Sequence, residues 1–313
     1  MGGLFSKGVP EGWTLRHGAA CDIGRRSTME DAHFVLGGAG DGATAELRGP
    51  CRGFYVVCDG HGGSDAAQFA SKNLLRFFLT DSFLCGDACE ALRASVLRLD
   101  AEFCKEVARG SLQHSGTTAL AAAVLGCRLL VANVGDCRAV LARRGRAIEL
   151  TRDHKPSLSD ERRRIEQAGG YVDGEGYLCG DLGVSRALGD FHYPHLKGGV
   201  GEVGPLTAEP EVSEWEIDED VEFVVLASDG ALDSMSSQLA VDIVRVELKR
   251  HNDPDRASQA VVKYALEKGV RDNITVVTVC FKQEIAPRTA SPISKINPAS
   301  KSFLSLREAI EGC

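Results

Sequence analysis

The sequence predicts an α+β protein built as a four-layer αββα sandwich, in which two antiparallel β-sheets pack face to face and a pair of helices covers each outer face. Two observations support this prediction. Helical patterns occur in pairs, and the pairs alternate with blocks of short apolar runs of the kind that form strands. The connections between successive runs are short, which favours antiparallel neighbours. Two packed sheets with helices outside would bury the apolar faces of all these elements.

The predicted strands are apolar runs closed by glycines or short polar turns. The clearest run lies at residues 54–58, where five apolar residues are followed at once by Asp59 and Gly60. The other runs lie at residues 33–36, 117–125, 129–134, 139–141, 221–227 and 274–281. Residues 143–145, Arg-Arg-Gly, predict a hairpin turn.

The predicted helices carry apolar residues at helical spacing and capping residues at their ends. They begin near residues 64, 87, 159, 237 and 253. Asp87, with Glu90 three residues later, predicts a capping box, and Ser159 predicts an N-cap. The proline at position 254 suits the first turn of a helix.

Motifs spread evenly along the chain, which favours a single catalytic domain at residues 17–283. Residues 1–16 and 284–313 are expected to be flexible segments at its two ends. Within the domain, residues 171–211 are rich in glycine and show no clear period. A loop of that length inside a compact domain is usually functional, so we expect a lid or a substrate flap.

Composition and charge narrow the possible partners. At 313 residues with 43% hydrophobic content, the chain can form one large core. A net charge of −8 and a pI near 5.6 argue against nucleic acid or a polybasic membrane surface as the main partner. The eleven cysteines are odd in number and include no C-x-x-C pair, and we find no secretory signal peptide. We therefore expect reduced thiols and a cytoplasmic or nuclear location.

Acidic residues stand at the ends of four predicted strands. These residues are Glu30, Asp31, Asp59, Asp229 and Asp272. A carboxylate where a buried strand emerges is costly unless it is paired, and a metal ion is the usual partner when no basic residue is near. If the four strand ends converge, they form an all-oxygen site with a strongly negative potential. Such a site suits Mg²⁺ or Mn²⁺ and does not suit zinc.

The chain resembles the metal-dependent serine/threonine protein phosphatases of type 2C, the PPM family. The motifs that carry the resemblance occur in family order at residues 26–31, 57–63, 115–119, 133–140, 150–156, 164–170, 184–190, 227–230 and 272–273. Together they span nearly the whole chain. The segment at residues 204–211 is similar to plant members. The resemblance implies an αββα fold and hydrolysis of phosphoserine and phosphothreonine in phosphoproteins, by a monomer and without a covalent phosphoenzyme.

The resemblance also implies roles for individual residues. Asp59 would bridge two metal ions, and Gly60 would contribute its carbonyl oxygen. Asp229 and Asp272 would hold one of the ions. Glu30 and Asp31 would act mainly through coordinated waters, and Asp136 and Asp233 occupy the family's positions for a weaker third ion. Arg26 would bind the phosphate, and His61 would protonate the leaving oxygen of the product.

Other readings fit the sequence less well. Cys137 and Arg143 have the spacing of a tyrosine phosphatase motif, but the run between them lacks glycine and is predicted to be a strand. Residues 189–192 resemble the start of a calcineurin-like metallophosphatase motif whose other parts are absent, and no Gly-Lys-Ser/Thr phosphate loop is present. A pseudophosphatase, which binds phosphoproteins without turnover, would have lost a metal ligand, and none is lost. The departures from the family pattern are at Gly183 and at residues 231–232.

The first seven residues match the N-myristoylation pattern, with Gly2 exposed after removal of methionine and Ser6 at the sixth position. The alternative is an ordinary disordered start. A single acyl chain gives only weak membrane binding without a second signal. Residues 1–18 contain no cysteine, and their basic side chains are those of Lys7 and Arg16, apart from His17. We therefore expect partial membrane association at most.

Overall fold

The computed structural model describes residues 13–37, 51–197 and 204–285. The strands are β1 (Trp13–Asp22), β2 (Ala32–Gly37), β3 (Cys51–Cys58), β4 (Gly60–His61), β5 (Gly116–Thr117), β6 (Ala119–Leu125), β7 (Arg128–Val134), β8 (Arg138–Arg143), β9 (Arg146–Glu149), β10 (Leu188–Gly189), β11 (Glu211–Glu216), β12 (Val221–Ala227) and β13 (Ile274–Lys282). The helices are α1 (Asp65–Cys85), α2 (Ala88–Ala108), α3 (Ser159–Gln167), α4 (Pro194–Lys197), α5 (Asp229–Leu232), α6 (Ser237–His251) and α7 (Pro254–Glu267).

The long strands form two antiparallel sheets. The first sheet has the strand order β1-β13-β12-β8-β9, and the second has the order β11-β7-β6-β3-β2. The short strands form a third, smaller sheet with the order β10-β5-β4. In each large sheet, two of the four neighbouring pairs join strands that are consecutive in sequence and two join distant strands, and the small sheet has one pair of each kind. The pairing of the distant strands depends on apolar packing between the layers.

Three apolar layers hold the sandwich together, and β3 contributes to two of them. Phe54 and Val56 lie in the core between the second sheet and helices α1 and α2. Tyr55 and Val57 lie in the core between the two sheets. Because alternate residues of a strand face opposite sides, a strand covered on both faces is apolar without alternation. A third core packs α6 and α7 against the first sheet. The predicted αββα sandwich is therefore confirmed.

Two predicted helix caps were wrong in detail. Ser159 is the first residue of α3, and the N-cap is Leu158, whose side chain offers no hydrogen-bond acceptor. Asp87 does cap α2, because its carboxylate accepts from the backbone N–H groups of Cys89 and Glu90. The Glu90 carboxylate does not complete a capping box. It accepts instead from Arg93, which lies three residues on along the same face.

Some strand boundaries also differ from the prediction. The run at residues 117–125 is divided at Thr118 into β5 and β6, because Thr118 forms hydrogen bonds with the Asp59 backbone and not with the large sheet. The Thr118 N–H donates to the Asp59 carbonyl at 2.9 Å, and the Thr118 hydroxyl accepts from the Asp59 N–H at 3.0 Å. The sequence did not predict β1, which begins at Trp13 within the segment expected to be flexible. The N-terminal motif and residues 286–313 lie outside the described residues.

Two further expectations concern the cysteines and the membrane. Nine of the ten cysteines in the described ranges have described side chains, and all nine are free thiols. Within the same ranges, no helix is both long and apolar enough to span a membrane. In the segment predicted to be irregular at residues 171–211, the described residues 171–197 and 204–210 contain β10, α4 and isolated bridges, and β11 begins at residue 211.

A buried ion pair joins α6 to the first sheet. Glu222 on β12 accepts two hydrogen bonds from Arg245 on α6, at 2.6 and 2.7 Å. Both residues are almost completely buried, with 2% and 4% of their surface exposed. Two charges removed from water in this way are tolerated only because each neutralises the other and the geometry is bidentate.

We predict that Glu222→Gln lowers the free energy of unfolding by roughly 3 kcal/mol, because it removes the carboxylate charge that Glu222 places against the buried Arg245 guanidinium. Urea denaturation monitored by circular dichroism measures this change. The matched control is Glu102→Gln, which weakens the solvent-exposed pair of Glu102 with Lys105 on α2 and should barely move the denaturation midpoint. Equal shifts in the two variants would contradict the prediction.

Candidate active site

A cleft of about 640 Å³ opens at one end of the two large sheets. Eight of the predicted site residues line it: Arg26, Glu30, Asp59, Gly60, His61, Asp136, Asp229 and Asp272. Asp31 lies next to the cleft but is buried, with 7% of its surface exposed. Asp233 is not part of the lining, and its carboxylate is bonded to Arg138 at 2.7 Å.

The strand register explains why these residues meet. In the second sheet, Cys58 at the end of β3 pairs with Ala32 at the start of β2, so Asp59 and Asp31 emerge side by side. In the first sheet, Ala227 at the end of β12 pairs with both Val276 and Arg138. Three segments therefore lie at the same end of the first sheet. Two of them precede β13 and β8, and the third follows β12. The predicted convergence of acidic strand ends follows from the antiparallel pairing.

Asp31 connects the two sheets at this end. Its Oδ2 atom accepts hydrogen bonds from the hydroxyl groups of Thr275 at 2.7 Å and Ser228 at 3.0 Å, both of which belong to the first-sheet side of the sandwich. Its other oxygen, Oδ1, is buried and has no partner among the described residues. Burial raises the pKa of the Asp31 carboxyl to about 6, although the two hydroxyl groups oppose that rise. A buried carboxylate oxygen without a donor is suited to a bound cation or to a water held by one.

The carboxylates around Asp59 repel one another. Burial, and then the charges of Asp31 and Asp229, raise the pKa of the Asp59 carboxyl well above its ordinary value. Burial, and then the charge of Asp136, raise the pKa of Asp229 to about 6. In the described ranges, no three acidic, histidine or cysteine side chains are grouped closely enough to hold an ion as they stand. The donor set is all oxygen and negatively charged, so it fits a hard divalent cation that would draw the carboxylates together.

Gly60 brings the backbone of the β3 end against the loop that carries Glu30. A Cβ atom at position 60 would lie 2.3 Å from the Glu30 carbonyl oxygen, so no larger residue fits. Asn273, to which the sequence analysis gave no separate role, fixes the same loop. Its Oδ1 accepts from the Glu30 N–H at 2.7 Å, and its Nδ2 donates to the carbonyl groups of Ile23 and Thr28. The sequence signal that could have identified Asn273 is its position directly after the predicted ligand Asp272.

Two cationic side chains of the site take part in ion pairs with predicted ligands. Arg26 donates to Asp272 at 2.7 Å, and both side chains are exposed to the cleft. Lys155 contacts the carboxylate of Asp136 and lies 4.0 Å from Asp229 Oδ2. Burial lowers the pKa of Lys155, but the charge and hydrogen bond of Asp136, together with the charges of Asp229 and Asp233, outweigh it and the net pKa is raised. The sequence analysis did not single out Lys155, although it lies in the motif at residues 150–156.

Residues 177–184 of the glycine-rich segment form one wall of the cleft. Tyr177, Asp181, Leu182, Gly183 and Val184 line the cleft from this side. The segment has its own small core, made of Ile165, Leu178, Leu182, Val184, Ala187, Leu196 and Leu206. The buried carboxylate of Glu161 on α3 holds it by accepting hydrogen bonds from Ser185 and Arg186. Part of the segment predicted to be a lid or flap therefore lines the cleft, and its role as a flap stays a prediction.

The thiol chemistry of a tyrosine phosphatase is excluded by the position of Cys137. Its Sγ atom is completely buried and lies 3.1 Å from the hydroxyl oxygen of Thr118. Burial, and then the charge of Asp59, raise the pKa of this thiol well above its ordinary value, so the nucleophilic thiolate does not form. Arg143, the other half of that pattern, pairs with Asp218 on the protein surface.

The sandwich and its acidic cleft define a metal-dependent phosphatase, and comparison with known proteins supports this class. The family model described as Protein phosphatase 2C matches residues 16–274, so the chain belongs to the protein phosphatase 2C family and is a protein serine/threonine phosphatase. The chain is 46% identical over 271 residues to Probable protein phosphatase 2C 27 of Arabidopsis thaliana, and the match covers 86% of this chain and 70% of that protein. It is 44% identical to Probable protein phosphatase 2C 27 of Oryza sativa subsp. japonica, over 88% of this chain and 77% of that protein.

Solved structures share the fold. The structure of a C. elegans sex-determining protein has a TM-score of 0.74 at 26% identity, and it covers 85% of this chain, which in turn spans 64% of that protein. The crystal structure of serine-threonine phosphatase 2C from Toxoplasma gondii has a TM-score of 0.72 at 21% identity, covering 88% of this chain and 96% of that one. The second likeness concerns the fold alone. The resemblance to type 2C phosphatases, and to their plant members, is confirmed.

His154 anchors the segment that carries Lys155. Its Nδ1 accepts from the Gly135 N–H at 3.0 Å, and its own backbone N–H donates to the Gly135 carbonyl at 3.0 Å. The side chain is completely buried. Burial, and then the charge of Arg186, lower the pKa of His154 to about 4. The folded protein therefore favours the neutral form of the His154 ring.

We predict that His154 makes the protein less stable in mild acid. The unfolded chain takes up a proton on this histidine near pH 6.5, whereas the folded protein does so only near pH 4, so the free energy of unfolding falls as the pH falls between those values. The loss due to this group at pH 4 is roughly 3 kcal/mol. Urea denaturation at several pH values, for the wild type and His154→Gln, measures it. The variant should show a shallower decline, and parallel curves would contradict the assignment.

Proposed function

We propose that the protein hydrolyses phosphoserine and phosphothreonine in phosphoproteins by direct attack of water, with two Mg²⁺ or Mn²⁺ ions held in the cleft and without a covalent phosphoenzyme. The observation that carries this proposal is the group of mutually repelling carboxylates around Asp59. Such a group destabilises the folded chain unless cations neutralise it. No thiolate nucleophile is available as an alternative at this site, since Cys137 is buried and protonated.

The ligands in this proposal are those that the family resemblance implies, and most of them line the cleft. Asp59 would be shared between the two ions, with Gly60 contributing its carbonyl oxygen. Asp229 and Asp272 would complete the shell of one ion, while Glu30 and the unpartnered Oδ1 of Asp31 would act through waters. Divalent cations supply Lewis acidity here: they lower the pKa of water and neutralise charge on the phosphoryl group.

Two side chains would act on the substrate itself. Arg26 is exposed in the cleft, where its guanidinium could exchange Asp272 for two phosphoryl oxygens and so orient the phosphate. His61 also lines the cleft and would give a proton to the serine or threonine oxygen as it leaves. Both assignments rest on the resemblance together with the position of these side chains.

A third ion would bind more weakly than the other two. Its ligands would be Asp136 and Asp233, and each carboxylate already has a cation of the chain itself as partner: Lys155 for Asp136 and Arg138 for Asp233. An incoming ion would have to displace or share those partners. We infer that Lys155 and Arg138 limit the affinity of this position.

Asp59→Asn should abolish hydrolysis of a phosphothreonine peptide, because a neutral amide cannot hold two cations together. Turnover is measured with Mn²⁺, with and without a chelator, and wild-type turnover that persists in chelator would contradict metal dependence. Since the substitution removes a charge that Asp31 and Asp229 oppose, the metal-free variant should unfold at a temperature no lower than that of the wild type.

The matched control is Asp87→Asn at the N-cap of α2, far from the cleft, because Asn caps helices as well as Asp does. This control should retain wild-type turnover. Substantial Mn²⁺-dependent turnover by Asp59→Asn would exclude the two-ion site. A wild type that binds phosphopeptides without any turnover would instead indicate a phosphoprotein-binding protein.

We further propose that Gly2 is myristoylated and that the protein, as a monomer, divides between a soluble cytoplasmic or nuclear population and a weakly membrane-bound one. Gly2→Ala should move the protein wholly to the soluble fraction, because the acyl chain requires that glycine. Cell fractionation measures the distribution. The matched control is Gly3→Ala, which preserves both Gly2 and Ser6. Identical distributions of Gly2→Ala and the wild type would mean that this segment carries no lipid.

A further inference from the structure

A buried carboxylate lies against the predicted proton donor. Asp190 Oδ2 is 2.7 Å from His61 Nε2, and the Asp190 side chain is 1% exposed whereas that of His61 is 32% exposed. Because an ionised carboxylate can only accept a hydrogen bond, Nε2 carries the proton in this contact. The other ring nitrogen, Nδ1, is not engaged by Asp190. The sequence analysis quoted Asp190 within a motif but gave it no role.

The strands of the small third sheet bring His61 and Asp190 together. His61 on β4 pairs with Gly116 on β5, and Gly116 pairs with Gly189 on β10, directly before Asp190. A Cβ atom at position 116 would lie 2.2 Å from both Asp190 Oδ2 and His61 Nε2. Only glycine therefore leaves room for the two side chains to meet across the strand.

Asp190 also adopts a backbone conformation that costs energy. Its φ of 59° is in the left-handed region, which non-glycine residues rarely adopt. Backbone bonds hold it there, because its N–H donates to the Ser115 carbonyl and its own carbonyl accepts from the Tyr193 N–H, each at 3.0 Å. In addition, Asp190 Oδ1 is buried without a partner among the described residues. A strained residue with an unsatisfied buried oxygen is the kind of feature that functional sites retain.

Other histidine–carboxylate pairs at the surface lack these features. His195 and Asp181 are 3.1 Å apart with 57% and 34% of their side chains exposed, so solvent screens the contact. The pair of His251 and Glu247 is longer still, at 3.7 Å. Burial of one partner, a short distance and a glycine opening distinguish the contact of Asp190 with His61.

We propose that Asp190 is a positioning residue for His61. It holds the imidazole with Nδ1 towards the substrate and stabilises the imidazolium that donates the proton. In that step the N–H bond at Nδ1 and the bond from phosphorus to the serine or threonine oxygen break, while an O–H bond forms on the alcohol product. The attacking water gives its oxygen to phosphorus and a proton to solvent, and solvent returns a proton to Nδ1. This inference rests on the proposed function, in which His61 is the proton donor.

The test compares two leaving groups. A threonine alkoxide needs a proton as it leaves, whereas 4-nitrophenolate does not. Asp190→Asn should therefore lower kcat for a phosphothreonine peptide roughly 10- to 100-fold and lower kcat for p-nitrophenyl phosphate several-fold less. The control, Glu247→Gln, alters the surface pair with His251 and should leave kcat unchanged on both substrates. Equal losses on both substrates for Asp190→Asn would mean that Asp190 is merely structural and would overturn the proposal.

A double-mutant cycle and a spectrum give independent readouts. In the His61→Gln background, Asp190→Asn should cause no further loss on the phosphothreonine peptide, whereas multiplied losses would overturn the proposal. Should Asp190→Asn fail to fold, long-range ¹H–¹⁵N spectra of the wild type report the His61 tautomer directly. A proton on Nε2 is expected, and a neutral ring protonated only on Nδ1 would overturn it. A wild type inactive on the phosphothreonine peptide would refute the proposed function, which is a separate result.

Discussion

Electrostatic repulsion among clustered carboxylates is the constraint on which the rest of the molecule depends. Asp59, Asp31 and Asp229 are brought together at the ends of strands from both sheets, where burial and the charges of neighbouring aspartates raise the pKa of each. The chain has to supply enough packing energy elsewhere to hold this arrangement. It does so with three apolar cores, two of which share the strand that leads to Asp59. The fold is thus a rigid frame for a site that would be unfavourable by itself.

The cationic side chains near the cleft lie at the edge of this group of carboxylates. Lys155, Arg138 and Arg26 each contact a carboxylate at the margin of the acidic group, at Asp136, Asp233 and Asp272 respectively. Asp59 and Asp31, at its centre, form no ion pair with any cationic side chain of the described residues. A protein that needed only to neutralise its own acids would place its cations at the centre. The observed distribution leaves the centre to an external cation, which agrees with the metal dependence of the family.

The sequence was sufficient to predict the sandwich and the acidic strand ends, because both follow from local patterns. Apolar runs mark the strands, paired helical stripes mark the outer layers, and each acid lies directly beside its run. It was not sufficient for Asn273, Lys155 or Asp190. These residues act through contacts with segments between 19 and 250 positions away, as the bonds from Asn273 to Ile23 and from Lys155 to Asp136 show. The division of a predicted strand at Thr118 has the same origin, since its cause is the distant Asp59 backbone.

Asp31 has a consequence for how this protein can change over evolutionary time. One of its oxygens accepts hydrogen bonds from Ser228 and Thr275 on the first-sheet side of the sandwich, while the other is buried and has no partner among the described residues. A substitution here would leave two buried hydroxyl groups without their acceptor and, under the proposed function, would also alter metal affinity. The cohesion of the two sheets and the chemistry of the cleft therefore share one side chain. Evolutionary change in ion preference is therefore more constrained at Asp31 than at the solvent-exposed Asp272 or Asp233. At those two positions a substitution leaves the packing between the sheets unchanged.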